Sequence, residues 1–209
     1  MTKDNDLVHR LLTIAYKNKL SHLGSYFSSL DIIDKIYKEM SDDDIFILSS
    51  GHAALALYVV LEKYKGVCAE TLYKKHGCHP HLDEDNHIYC STGSLGMGLT
   101  VAVGRALANP NRHVYCLISD GECAEGSIWE SLQYIYQKNI RNIKVYVNLN
   151  GYCAYDKVDK KYLTDRLLCF LPNINIIETS VEQFFFLRGL NAHYHVMSDL
   201  DYQNAKEDL

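Results

Sequence analysis

With 209 residues, 47% of them hydrophobic and 22% charged, the chain has a globular composition and enough length for one α/β domain with a substantial core. A formal net charge of -5 gives no basis for nucleic acid or an anionic membrane as partner. The apolar runs are too short for a membrane span, the start MTKDNDLVHR is no secretory signal, and seven scattered cysteines lack paired spacing, so a cytoplasmic protein with reduced thiols is expected.

In chain order, Leu7, Leu11, Ile14 and Ala15 mark an amphipathic first helix. Leu30, Ile33, Tyr37 and Met40 mark a second, with Ser28 and Asp31 spaced as an N-terminal capping box. Residues 44–49 read as a buried strand and 52–64 as a helix closed by Gly66. Residues 74–92 form a polar, histidine-rich loop, and 95–109 a small-residue helix stopped by Pro110. A second buried strand follows at 113–119 (HVYCLIS). The helix at 125–138 turns Ile128, Leu132 and Ile135 to one face, flanked by Trp129 and Tyr136, and leads to a strand at 143–147. Residues 173–178 (NINIIE) suit a last strand and 198–209 a last helix. With three prolines, no repeats and no low-complexity linker, residues 1–209 read as a single domain.

Strand, helix and strand over 113–147 make a βαβ crossover, which brings both strand ends to one edge of a parallel sheet. Open α/β sheets bind ligands at that edge. Asp120 offers a carboxylate there and Asn150, thirty residues on, an amide carbonyl. Both are hard oxygen ligands suited to Mg²⁺ or Ca²⁺, and Gly121 between them lets the backbone approach a phosphate closely. The same pattern also describes a plain strand-to-helix turn with acids at a helix start, and spacing alone does not choose. His52, just after Gly51, stands at a strand-to-helix transition suited to anions, or else faces solvent. The loop with His76, Cys78, His79, His81, His87 and Cys90 has zinc-ligand types but no C-x-x-C pair or knuckle spacing, so a polar active-site loop describes it better.

Residues 119–131 (SDGECAEGSIWES) with Asn150 resemble the thiamine diphosphate motif in its transketolase form, GDGE-x-x-EG-x-x-WEA, with Ser119 for the first glycine. Residues 48–54 (LSSGHAA), His79-Pro80, 92–99 (TGSLGMGL) and 21–24 (SHLG) resemble that family's other blocks, in family order. From residue 1 to about 155 the chain is similar to the N-terminal, diphosphate-binding part of transketolase. The resemblance implies a thiamine diphosphate-binding fold, an α/β parallel sheet flanked by helices on both faces. It implies Mg²⁺, with Ca²⁺ able to substitute, on Asp120, Asn150 and the backbone carbonyl of Tyr152. By the same resemblance, His52 touches the cofactor diphosphate and His22 lies near it and the reacting carbons. His79 would bond the donor's terminal hydroxyl, and Gly93 and Leu95 would contact the cofactor rings. His22, His52 and His79 are thus candidates for proton transfer and for binding carbonyl and hydroxyl oxygens. Glu125, with Glu130, would lie between the two active sites of a dimer and share a proton, unless both are ordinary exposed helix glutamates.

The implied reaction moves a two-carbon ketol unit from a ketose to an aldehyde acceptor, on sugars or sugar phosphates. In transketolases the glutamate that activates the cofactor's aminopyrimidine comes from a following pyrimidine-binding domain, for which 209 residues leave no room. The chain is therefore expected to be the N-terminal subunit of a split enzyme, in an α2β2 assembly with a C-terminal partner. From about residue 156 the tail departs from the family: no TxKGxG stretch follows, Asp-Gly is lost after Asn150, and only residues 185–194 faintly resemble a segment ending in Trp-His-Tyr. That departure leaves room for a 2-oxo acid donor whose acyl unit passes to a sugar, or for a non-catalytic regulatory subunit. Joint retention of Asp120, Asn150, His52 and His79 speaks against the latter.

Overall fold

Strands that are apolar on both faces must be covered on both faces, and this governs the architecture. The computed structural model describes residues 4–209. Strands β1 (Ile45–Leu48), β2 (Val114–Ser119), β3 (Ile143–Leu149) and β4 (Asn175–Glu178) pair in parallel in the order β1-β2-β3-β4. The register sets Leu48 beside Leu117 and Ser119 beside Asn148, so the carboxyl ends share one edge.

Side chains alternate between two cores. Ile45, Ile47, Cys116, Ile118, Val145 and Val147 face a core shared with α5 (Met97–Ala108), α6 (Gly126–Gln137) and α7 (Lys160–Phe170). Phe46, Leu48, Tyr115, Leu117 and Tyr146 point the other way, to α1 (Asn5–Lys17), α2 (Leu23–Glu39), α3 (Ala54–Lys65) and α4 (Ala69–His76). Helices thus flank both faces of the parallel sheet. The crossover helices α5, α6 and α7 share one face, so the strand order never reverses. The cleft at the carboxyl edge is instead closed by α2 and the C-terminal tail.

Helix α2 begins at Leu23, six residues before the expected start, with His22 as its N-cap in the left-handed region. Ser28 and Asp31 are therefore no capping box. The hydroxyls of Ser28 and Ser29 are buried mid-helix and accept from the Asn148 amide at 2.9 and 3.1 Å, tying α2 to the end of β3. A capping box does occur at Ser198 and Asp201, opening the last helix, α9 (Asp199–Glu207), after the one-turn α8 (Asn191–Tyr194). The helix expected from residue 52 opens with a single 3₁₀ turn, Gly51–Ala53, and closes as expected on left-handed Gly66. Besides the one-turn α8, two helices were not anticipated. One is α4, so the histidine-rich loop starts at Gly77 rather than at 74; the other is α7, which buries only Leu163 and Leu167.

The tail is not peripheral. After β4, Val181, Phe184, Phe186, Leu187 and Ala192 bury against the α1–α4 side, with the Phe184 ring 4.9 Å from that of Phe27. Helix α9 then returns to α1, where Tyr202 stacks on Tyr16 at 4.1 Å. Among the described residues no helix is long and apolar enough to cross a membrane.

Candidate active site

The ends of β1 and β2 and the turn before α5 are pinned by one buried acid. Glu122 is fully buried, and its carboxylate accepts from Ser49 Oγ (2.7 Å), Gly96 N–H (2.9 Å) and Ser119 N–H (3.0 Å). Burial raises its pKa, opposed by those donors. The contact fixes the turn before α5, where Gly96 takes a φ of 79° and a Cβ would lie 2.5 Å from Ser127 Oγ. Sequence reasoning passed Glu122 over; its only signal was being the acid directly after Asp-Gly.

Asp120 lies beneath the cleft floor, 2% exposed. One carboxylate oxygen accepts from Gly151 N–H at 2.6 Å and the other from Gly121 N–H at 3.0 Å, while burial lifts its pKa to about 6. Asn150 Oδ1 accepts from Tyr152 N–H at 3.0 Å. A Cβ on Gly121 would lie 3.2 Å from Cys153 Cα and 3.7 Å from the Tyr152 carbonyl oxygen. The room left by this glycine is thus taken by the loop that carries that carbonyl. Carboxylate, amide oxygen and main-chain carbonyl are held in one corner by their own backbone. The Asp120 and Asn150 oxygens keep lone pairs beyond these hydrogen bonds, and with the Tyr152 carbonyl the donor set fits a hard divalent cation.

Above this corner opens a cleft of about 230 Å³. Every other predicted site residue lines it: His22, His52, His79, Gly93, Leu95, Gly121, Glu125, Asn150 and Tyr152. His79 packs over Gly93, whose added Cβ would lie 3.1 Å from its ring. The His22 and His52 rings are 5.7 Å apart. Glu125 is the N-cap of α6, and it and Glu130 are exposed in the single chain. His76, at the end of α4, is engaged elsewhere: its Nε2 and Asp83 Oδ2 are 2.9 Å apart, and among the described residues no three His, Cys, Asp or Glu side chains are grouped to hold a metal.

Residues 24–170 match the family described as "Transketolase, thiamine diphosphate binding domain". The chain belongs to this family. It is 32% identical over 162 residues to one subunit of the apulose-4-phosphate transketolase of Phocaeicola vulgatus, covering 68% of this chain and 57% of that protein. It is also 34% identical over 122 residues to transketolase-like protein 2 of Mus musculus, covering 54% of this chain and 20% of that one. The fold is that of transketolase from Campylobacter jejuni, with a TM-score of 0.69 at 17% identity over 100% of this chain and 43% of that one. The chain thus spans a fifth to just over half the length of these relatives.

One cleft histidine was not predicted. His193 sits with its ring 4.3 Å from that of His22 and 5.4 Å from that of His52. It lies outside the residues matched to the transketolase family, and only long-range packing of the tail on α2 brings it there.

Burial holds these imidazoles neutral, with His52 depressed to about 3 and His22 to about 4 from an ordinary 6.5. Above pH 6.5 they are neutral in folded and unfolded chains alike and cost nothing. As pH falls below that value, the unfolded chain takes up protons that the folded chain refuses, so stability drops until the folded pKa is reached. At pH 5 the His52 contribution is a loss of about 2 kcal/mol. Calorimetric melts of the cofactor-free chain are expected to fall between pH 7 and pH 5, and His52→Gln to flatten that fall.

Proposed function

We propose that this chain is the diphosphate-binding, N-terminal subunit of a split transketolase, which transfers a two-carbon ketol unit from a ketose to an aldehyde acceptor. The observation that carries the reading is one cleft lined by Asn150, Tyr152, His22, His52 and His79, with the buried Asp120 carboxylate bonded beside it to Gly151 N–H. Membership of a thiamine diphosphate-binding family supports that cofactor. Mg²⁺, or Ca²⁺ in its place, would be held by the Asp120 carboxylate, Asn150 Oδ1 and the Tyr152 carbonyl, and would neutralise the diphosphate. When bound, the cofactor supplies the electron sink for breaking the donor's carbon–carbon bond.

The chain's own residues bind and orient. His52 and His22, both neutral and both anchored where a helix begins, offer one N–H and one lone pair each to diphosphate and substrate oxygens. Gly93 and Leu95 present backbone and an apolar side chain to the cofactor rings, and Gly121 keeps the metal loop close. His79, exposed at the cleft mouth, suits a terminal hydroxyl of a sugar or sugar phosphate. Glu125, exposed at the start of α6, would meet its counterpart across a subunit interface and share a proton there.

The Phocaeicola vulgatus relative is itself one subunit of a transketolase, which supports a partner chain for this one as well. That partner would carry the pyrimidine-binding domain and its activating glutamate, in an α2β2 assembly in the cytoplasm. Coexpressed with its partner and given Mg²⁺, thiamine diphosphate and an aldose acceptor, the chain is expected to extend the acceptor by two carbons from hydroxypyruvate. Acyl transfer from pyruvate in place of that product would assign a 2-oxo acid donor. No product with either donor would leave a regulatory role.

A further inference from the structure

Helix α7 opens with two lysines, Lys160 and Lys161, at the end where the helix dipole favours acids. Lys161 has a local partner, Asp165, one turn on at 2.7 Å. Lys160 is drawn away from its own helix. Its Nζ donates to the Thr179 carbonyl at 3.2 Å and lies 3.9 Å from the Glu178 carboxylate, both where β4 ends. Thr179 is itself fixed to the sheet, its N–H donating to the Leu149 carbonyl at 3.1 Å. On the way to this anchor the lysine stem crosses Gly151. That glycine has a φ of 92°, and a Cβ on it would lie 2.8 Å from Lys160 Cε. The stem thus fills the space that a side chain at position 151 would take.

Gly151 begins a turn that closes on itself. Its carbonyl accepts from Val158 N–H at 2.9 Å, and Cys153 N–H donates to the Asp156 carbonyl at 2.9 Å. The turn supplies the Gly151 N–H that holds Asp120 at 2.6 Å and the Tyr152 N–H that holds Asn150 Oδ1 at 3.0 Å. It also carries the Tyr152 carbonyl.

Resting on the reading of Asp120, Asn150 and Tyr152 as cation ligands, we propose that Lys160 is a positioning residue that braces the Gly151 turn against the end of β4 and so sets the site's preference for Mg²⁺ over Ca²⁺. Lys160 does not line the cleft and acts through Gly151. Magnesium demands near-ideal octahedral geometry at short distances, whereas calcium accepts larger and more irregular shells. A braced turn therefore favours magnesium, and a slack one shifts the balance toward calcium. Helix α7, which buries only two leucines of its own, serves the site by delivering this side chain.

The test compares wild type, Lys160→Ala and Lys160→Arg, each purified with its partner chain, by calorimetric titration of Mg²⁺ and of Ca²⁺ at saturating thiamine diphosphate. Alanine removes both stem and anchor; arginine keeps a long stem and a donor for the Thr179 carbonyl. Mg²⁺ affinity is expected to fall about tenfold or more in K160A, the size of a lost outer-shell contact. Ca²⁺ affinity should fall no more than about threefold, so the preference between the two ions moves toward calcium. K160R should stay within about threefold of wild type for both ions. Cation affinities in K160A equal to those of wild type overturn this proposal alone. Equal losses for the two ions also overturn it, since a merely structural role does not discriminate between them. A wild-type assembly that binds neither ion with thiamine diphosphate overturns the reading of the cation ligands as well.

Discussion

Asp120→Asn is expected to weaken Mg²⁺-dependent thiamine diphosphate binding at least about hundredfold while leaving the chain folded. Outer-shell partners of a metal ligand are already worth up to that factor, and Asp120 is proposed as the one charged ligand itself. Its two oxygens are oriented by the Gly151 and Gly121 N–H groups, so the carboxylate is aimed before any cation arrives. Asparagine preserves the shape and one acceptor but removes the negative charge that a hard divalent cation requires. Because burial already penalises that charge, the neutral side chain costs the cofactor-free fold little. Titration of thiamine diphosphate in Mg²⁺, followed by the fluorescence of Trp129, checks this. Unchanged affinity in the variant would remove the cation corner from the account.

Glu122→Ala is expected to be the most damaging single truncation outside the apolar core, costing about 3 to 5 kcal/mol. The Ser49 hydroxyl and the N–H groups of Gly96 and Ser119 would all lose their acceptor in a place that water does not reach. Buried donors left unpaired cost about 1 to 3 kcal/mol each. Glu122→Gln keeps one acceptor oxygen and is expected to lose about half as much. The Gly96 turn carries Gly93 and Leu95 on its approach, so the truncation should also lower cofactor affinity. Urea unfolding midpoints give the stability; an alanine variant within about 0.5 kcal/mol of wild type would contradict the pinning role.

These two acids show what a sequence displays and what it conceals. The place of Asp120 at the sheet edge was legible because it is set locally: an apolar strand ends, a glycine follows, and a second strand ends beside Asn150 after one crossover. Glu122 reads as one more acid in an acidic turn, and its burial depends on Ser49, 73 residues away. The same contrast runs through the fold. Strands β2 and β3 with α6 between them announce themselves by apolar runs and helical spacing. Helix α2 misled because Ser28 and Asp31 imitate a cap, whereas the hydroxyls of Ser28 and Ser29 are recruited by Asn148, 120 and 119 residues on. Helix α7 hides because two leucines make a thin stripe. His193 had only a faint local signal, the likeness of residues 185–194 to a segment ending in Trp-His-Tyr; its place in the cleft comes from the tail's phenylalanines burying against α2.

The central claim is that this chain binds thiamine diphosphate as one part of a two-chain enzyme, and native mass spectrometry of the tagged chain purified from its own cells in Mg²⁺ and thiamine diphosphate tests it most directly. The account predicts a complex with a second subunit that carries a pyrimidine-binding domain, with one thiamine diphosphate and one Mg²⁺ for each copy of this chain. A chain that emerges alone and free of cofactor would contradict it.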